Sequence, residues 1–188
     1  VDQSSRLIRC SSNWKRNLKR SSKNPLSPYI WKDVDATSLS AAYSEMNSFK
    51  KIEGVVLARP VNELQSVIDI FKEDLILVRS DDINGNPLAI RGVLCFHKTA
   101  WDFIALTTPL GRKCYASHAV FWMLADECYQ RGMLQYDLGG IDPINNRGVY
   151  DFKKGTGALP VDYQGEWEIS SHRLFGILAS RLISRRVA

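Results

Sequence analysis

Apolar positions fall at helical spacing near both ends of the chain and in compact runs through its middle. Residues 11–23 read Ser-Ser-Asn-Trp-Lys-Arg-Asn-Leu-Lys-Arg-Ser-Ser-Lys. Trp14 and Leu18 share one face at i,i+4, and Ser11, Ser12 or Asn13 supplies the N-cap. Pro25 and Pro28 end this helix, and 27–31 reads as a short strand. Leu39, Ala42, Tyr43, Met46 and Phe49 place a second helix over 38–51, after the capping candidates Thr37 and Ser38. Leu64, Val67, Ile68 and Phe71 place a third over 61–73, with 54–60 as a loop or short strand between them. The period then changes. Runs at 75–79, 88–97 and 101–107, the first two joined through Asn84-Gly85-Asn86, predict an antiparallel meander. A loop over 109–114 leads to a helix capped by Ser117 and closed near Gly132, with Val120, Phe121, Leu124 and Cys128 inside. A strand over 133–138 follows, then an irregular glycine-rich segment. A strand over 161–169, carrying Glu166 and Trp167, and a final helix ending in Arg181, Arg185 and Arg186 complete the order. The expected fold class is α/β (α+β), one domain over 1–188 with a mixed, mostly antiparallel sheet flanked by helices.

The segment from Tyr136 to Gly157 concentrates the candidate chemistry. It holds Gly139, Gly140, Gly148, Gly155 and Gly157 beside Lys153 and Lys154. Glycine allows close approach of the backbone to a ligand, and lysine suits an anion or a developing oxyanion. The expectation is a break at Gly139-Gly140 and a turn through Pro143 and Asn145-Asn146. Lys153 reads as an oxyanion-stabilising cation or as a surface lysine. Phe152 reads as a stacking platform or a wall against water. Asp137 and Asp142 read as groups that orient an amine or take its proton, or as turn caps beside Gly and Pro. Tyr150 reads as a holder of a substrate group or as packing.

The 188 residues carry a net charge of +5, which favours anionic partners such as phosphates, RNA or an anionic membrane surface. The cations Arg16, Lys19 and Arg20, with Lys15 and Lys23, make the first helix basic; a phosphate clamp and a solvated face are the two accounts. Cys10, Cys95, Cys114 and Cys128 show no ligand spacing and read as reduced thiols of a cytoplasmic protein. His97, His118 and His172 are scattered outside any HExxH pattern, so no metal site is expected. No run approaches the roughly 20 apolar residues of a membrane span, and no signal peptide is read. The basic, polar start at Val1 reads as part of something longer.

The motifs Trp-Lys-Arg-Asn-Leu-Lys-Arg (14–20), Tyr-Asp-Leu-Gly-Gly (136–140), Phe-Lys-Lys-Gly (152–155) and Tyr-Gln-Gly-Glu-Trp (163–167), with the helix ending at Gly132, together resemble the Fem family. These are non-ribosomal peptidyl transferases of bacterial cell-wall synthesis, with GNAT-like acyltransferase relatives. The resemblance covers nearly the whole chain and implies a GNAT-like acyltransferase fold. Family members usually hold two such domains in tandem, and this chain looks like the second, without its N-terminal partner. The resemblance implies transfer of an aminoacyl group from aminoacyl-tRNA to an amine of a peptidoglycan precursor, lipid- or nucleotide-linked, in the cytoplasm or at the inner membrane face. No tightly bound cofactor is implied. The family's Phe-Lys pair near the aminoacyl ester matches Phe152 and Lys153, and the basic residue on the acceptor diphosphate matches Arg16. Residues 109–117 contain Gly111, Arg112 and Lys113 but lack the Gln/Arg-x-x-Gly-x-Gly/Ala loop of acetyl-CoA enzymes. Two alternatives remain: an acyl-CoA-dependent N-acyltransferase acting on an amino sugar or small amine, and a non-catalytic module binding RNA or a nucleotide through Arg16, Lys19 and Arg20.

Overall fold

The structure is a computed structural model that describes residues 2–48 and 59–162. The chain divides into two compact units, 1–51 with 56–158, and 52–55 with 159–188. The second lies outside the described residues apart from 159–162, and with it the expected strand over 161–169 and the terminal helix.

The first unit opens with two short helices that meet at a corner. Helix α1 (Gln3–Arg9) is capped by Asp2, whose side chain accepts from the Ser5 amide. Helix α2 (Ser12–Ser21) is capped by Ser11, whose hydroxyl accepts from the Trp14 amide. Strand β1 (Tyr29–Ile30) is brief, and helix α3 (Ala36–Asn47) starts at Asp35, two residues ahead of the expected Thr37. Helix α4 (Val61–Phe71) ends in a single 3₁₀ turn, Lys72–Asp74.

The meander follows as β2 (Leu75–Asp81), β3 (Pro87–Phe96) and β4 (Thr99–Thr107). Helix α5 (Pro109–Lys113) occupies the stretch expected to be a loop. Its Gly111 packs against β3, where an added Cβ would meet the Leu88 carbonyl oxygen at 2.1 Å. Helix α6 (Ala116–Gln130) begins at Tyr115 in the left-handed region, φ 62°. Ser117 therefore does not cap it; its hydroxyl pairs with Thr107 Oγ1 at 2.5 Å. Strand β5 (Gln135–Asp137) joins the sheet, and helix α7 (Arg147–Gly155) replaces the expected irregular segment.

The sheet order is β1-β2-β3-β4-β5, antiparallel throughout except that β5 lies parallel to β4. A bulge at Gly92–Val93 leaves Ile104 opposite Gly92 and Asp102 opposite Val93, with Phe103 inserted. The sheet is thus mixed and mostly antiparallel, as the apolar pattern predicts. Its two faces carry separate cores. Ile76, Val78, Ala89, Val93 and Cys95 pack under α6 through Val120, Leu124 and Cys128. Leu77, Ile90, Ile104 and Leu106 pack under α3 and α4 through Leu39, Met46 and Leu64. A third cluster joins α2, α6 and α7: Trp14, 2% exposed, packs with Phe121, Ala125, Phe152 and Leu138.

Helix α7 seats on α2 through a glycine. Ser11 N donates to Gly155 O at 2.9 Å, and a Cβ on Gly155 would stand 2.8 Å from Trp14 Cδ1. Gly148, about two turns earlier, faces open space. Gly155→Ala is expected to cost about 2 kcal/mol by forcing Trp14 aside. Gly148→Ala is expected to be neutral or stabilising by up to about 1 kcal/mol. Urea unfolding of the two variants against the parent checks the contrast, and equal effects would remove the claim that Gly155 is a packing glycine.

Candidate active site

Beneath α7 lie two buried opposite charges. Arg91 stands on β3 and Asp102 on β4, on the face covered by α6, and the bulge sets them diagonally across the ladder. Arg91 Nε donates to Asp102 Oδ1 at 2.9 Å, and Nη2 donates to Oδ2 at 2.8 Å. Both side chains are under a tenth exposed. Tyr136 of β5 donates its hydroxyl to Asp102 Oδ1 at 3.1 Å. The guanidinium lies 5.1 Å from the Phe121 ring and 5.2 Å from the Phe152 ring. Burial works against the Arg91 charge, but Asp102 and Tyr136 more than restore it. Burial pushes the Asp102 carboxyl above its ordinary value against the pull of Arg91. The Tyr136 hydroxyl is held far above the ordinary tyrosine value by burial and stays neutral.

Lys153 sits next to Phe152 on the last turn of α7, half-buried, where the helix dipole favours a cation. Its Nζ donates to Gly140 O at 2.7 Å. Burial lowers its ammonium below the ordinary lysine value; Asp102 and Asp137 pull it back up, and Arg91 lowers it further. Gly139 holds φ +70°, and its amide donates to Asp137 Oδ1 at 2.7 Å. The strand-end turn therefore aims the Gly140 carbonyl at the lysine. Such an arrangement gives a partly dehydrated cation beside an open strand end, the environment in which a positive charge interacts most strongly with a developing oxyanion.

The structure brings Lys153, Phe152, Asp137, Gly139 and Gly140 together. The others stand apart in their contacts. Asp142 closes its own turn, accepting from the Ile144 and Asn145 amides at 2.9 and 2.8 Å, which lowers its pKa. Tyr150 stacks with two cations of its own helix, Arg147 and Lys154, at 5.7 Å each. On α2, Arg16 bonds Asn13 Oδ1 at 2.6 Å. Arg20 bonds the Tyr115 hydroxyl at 2.9 Å. Lys19 lines, with Lys15, a groove of about 700 Å³ between α1, α2 and α6, floored by Leu18, Trp122 and Met123. Tyr136 enters the motif reading only as the first residue of the 136–140 motif, and Arg91 and Asp102 escape it. Their signal was present: a lone cation in the apolar run 88–95 and a lone anion in the next run, 99–107, of the same meander. Glu166 and Trp167 lie outside the described residues.

Among the described residues, no three His, Cys, Asp or Glu side chains converge as metal ligands. The four cysteines are free thiols. No helix among those residues is long and apolar enough to cross a membrane.

Solved structures share this architecture. FemX superposes with a TM-score of 0.70 at 11% identity, over 84% of this chain and 56% of FemX. Glucosamine-6-phosphate N-acetyltransferase from Arabidopsis thaliana superposes at 0.51 and 13% identity, over 78% of this chain and 100% of that one. Ribosomal-protein-alanine N-acetyltransferase from Brucella melitensis biovar Abortus 2308 gives 0.54 and 11%, over 78% and 99%. The fold is the one these structures share, so the GNAT-like expectation holds. A model of the FemAB family matches residues 57–180, well over half of the sequence, and the chain belongs to that family. It spans little more than half the length of FemX. No curated protein matches it.

His118 of α6 adds a titratable group to the aromatic cluster. Its ring lies 5.1 Å from both Trp14 and Phe152, and its Nδ1 is buried without a hydrogen-bond partner. Burial lowers its pKa from 6.5 to about 4. A depressed histidine stabilises the folded state fully above its unfolded pKa and loses that contribution as pH falls toward the folded one. The window is thus about 6.5 down to about 4, and the full contribution is on the order of 3 kcal/mol. The stability difference between the parent and His118→Phe should therefore change in favour of the variant between pH 7 and pH 4.5. Denaturant midpoints at the two pH values check this, and a difference independent of pH would refute the buried neutral imidazole.

Proposed function

We propose that this chain is an acyltransferase domain of the Fem kind, moving an aminoacyl group from aminoacyl-tRNA to an amine of a peptidoglycan precursor. The observation that carries the reading is the half-buried Lys153 ammonium beside Phe152 and the Gly139-Gly140 turn. The amine nitrogen attacks the ester carbonyl, a carbon–nitrogen bond forms, and the carbonyl oxygen gains negative charge. Lys153 faces that charge. The ester carbon–oxygen bond then breaks, and the proton lost by the amine ends on the departing ribose oxygen. Phe152 walls the ester from water. Asp137 keeps the turn open through the Gly139 amide and stands within electrostatic reach of Lys153. Asp142, Tyr150 and Lys154 line the approach along α7, and Arg16, Lys19 and Arg20 of α2 take phosphates of the substrates.

The chain is the second of two GNAT-like domains in this reading, and the first supplies most of the acceptor surface. A span of 56% of FemX is the share that one of two such domains would take. Work at the inner membrane face follows from a lipid-linked acceptor, and the basic α2 suits that anionic surface.

An acyl-CoA donor is the second reading, favoured by the exposed Arg112 and Lys113 ahead of α6. Opposing it, the amides of Gly111, Arg112, Cys114 and Tyr115 already serve the helical turn. Gly111 N bonds Thr108 Oγ1, Arg112 N bonds Thr108 O, Cys114 N bonds Leu110 O and Tyr115 N bonds Arg112 O. A pyrophosphate cradle needs such amides free.

In the full-length protein, Lys153→Met should lower kcat by roughly 10²–10³-fold with an unchanged melting temperature. Undiminished transfer would sink the role of Lys153. Calorimetry with acetyl-CoA should show no binding. Micromolar affinity would replace the tRNA donor by the acyl-CoA one, and salt-sensitive tRNA binding without transfer to any amine would leave a binding module.

A further inference from the structure

Lys153 does not stand on its own helix alone. Four elements meet under it: β3 through Arg91, β4 through Asp102, β5 through Tyr136 and α7 through Phe152. Buried ion pairs carry a large desolvation penalty, and a fold gains little net stability from one. Here two of the groups on the pair, Tyr136 and Phe152, belong to elements that also carry part of the Lys153 site. Tyr136 precedes Asp137, which fixes the Gly139 turn. Phe152 precedes Lys153 and rests on the guanidinium face.

We propose that Arg91, Asp102 and Tyr136 form a positioning network for Lys153, with Arg91 as the platform that seats Phe152 and Asp102 joining that platform through Tyr136 to the strand end that carries the Gly139 turn. This rests on the catalytic reading of Lys153. The charged groups facing that ammonium are Asp102 from β4, Arg91 from β3 and Asp137 from β5. Asp102 and Asp137 both favour the charged ammonium against dehydration and Arg91, and the Asp102 side chain is under a tenth exposed. The Arg91 fork and the Tyr136 hydroxyl hold Asp102 as the carboxylate in turn. None of the three need touch the substrate.

The test is the titration of Lys153 in the full-length protein, followed by NMR of ¹³C-dimethylated lysines and assigned by loss of its signal in Lys153→Met. Asp102→Asn should move the Lys153 titration to lower pH, bring the alkaline limb of the kcat/KM profile down with it, and cut kcat/KM by about tenfold or more at neutral pH. Asp102→Asn leaves Arg91 buried without its anion and can fail to fold. Tyr136→Phe keeps the ring that packs 5.5 Å from Phe121 and removes only the hydroxyl. Where a lysine titrates the carboxylate is already ionised, so loss of the hydroxyl leaves its charge less shared and should move the titration to higher pH by a smaller step. A Lys153 titration unchanged in Tyr136→Phe and in any folded Asp102→Asn protein overturns the network. A merely structural pair would lower the melting temperature and leave both the titration and the pH profile in place. Full transfer by Lys153→Met, with the titration shifts present, would instead sink the catalytic reading while the electrostatic coupling stands.

Discussion

Trp14 is the contact on which the candidate site depends. Its indole fills the junction of α2, α6 and α7, with His118, Phe121, Trp122 and Phe152 between 5.1 and 6.0 Å away, ring centre to ring centre. A buried tryptophan brings more apolar area than any other side chain. It needs space that its neighbours must leave, and Gly155 leaves it. Phe152, pressed between Trp14 and Arg91, transmits that packing to the helix turn that carries Lys153. The position of one lysine thus follows from a chain of contacts between aromatic rings and a buried charge.

The buried pair answers a second constraint. Strand β3 is covered on both sides, and a charge there must be matched or left out. The bulge at Gly92–Val93 solves the geometry by bringing Asp102 within reach of Arg91. Tyr136 then joins β5 to the same carboxylate, although the parallel ladder to β4 spans only Thr99–Trp101 against Gln135–Asp137. The hydroxyl bond fastens a strand that its ladder alone would hold weakly.

Much of the fold was legible. Compact apolar runs and the Asn-Gly turn marked the meander, and the spacing of Val120, Leu124 and Cys128 marked α6. The site was legible in part, because Phe152, Lys153 and the paired glycines are close in sequence as well as in space. Helix α7 was hidden by its glycines: Gly148 weakens the local propensity and Gly155 looks like a loop residue, while tertiary packing on Trp14 decides the matter. The α6 cap was misplaced because Tyr115 accepts a left-handed conformation, φ 62°, which no local pattern predicts. Arg91 and Asp102 were invisible to motif reading because their meaning arises only when two strands pair with a bulge. Helix α1 is seven residues long, too short for a periodic signal.

Helix α7 is held unequally along its length. Its C-terminal end is bound through Gly155 to Ser11 and through Gly157, at φ +83°, against the backbone of Arg9. Its N-terminal end has no side-chain cap and an exposed Arg147–Asp151 pair. Lys153 belongs to the tethered end. Substitution therefore meets an unequal constraint along this segment: Gly155 and Gly157 cannot gain a side chain without moving the turn that carries the cation, while Gly148 faces open space and Arg147 and Asp151 stand exposed.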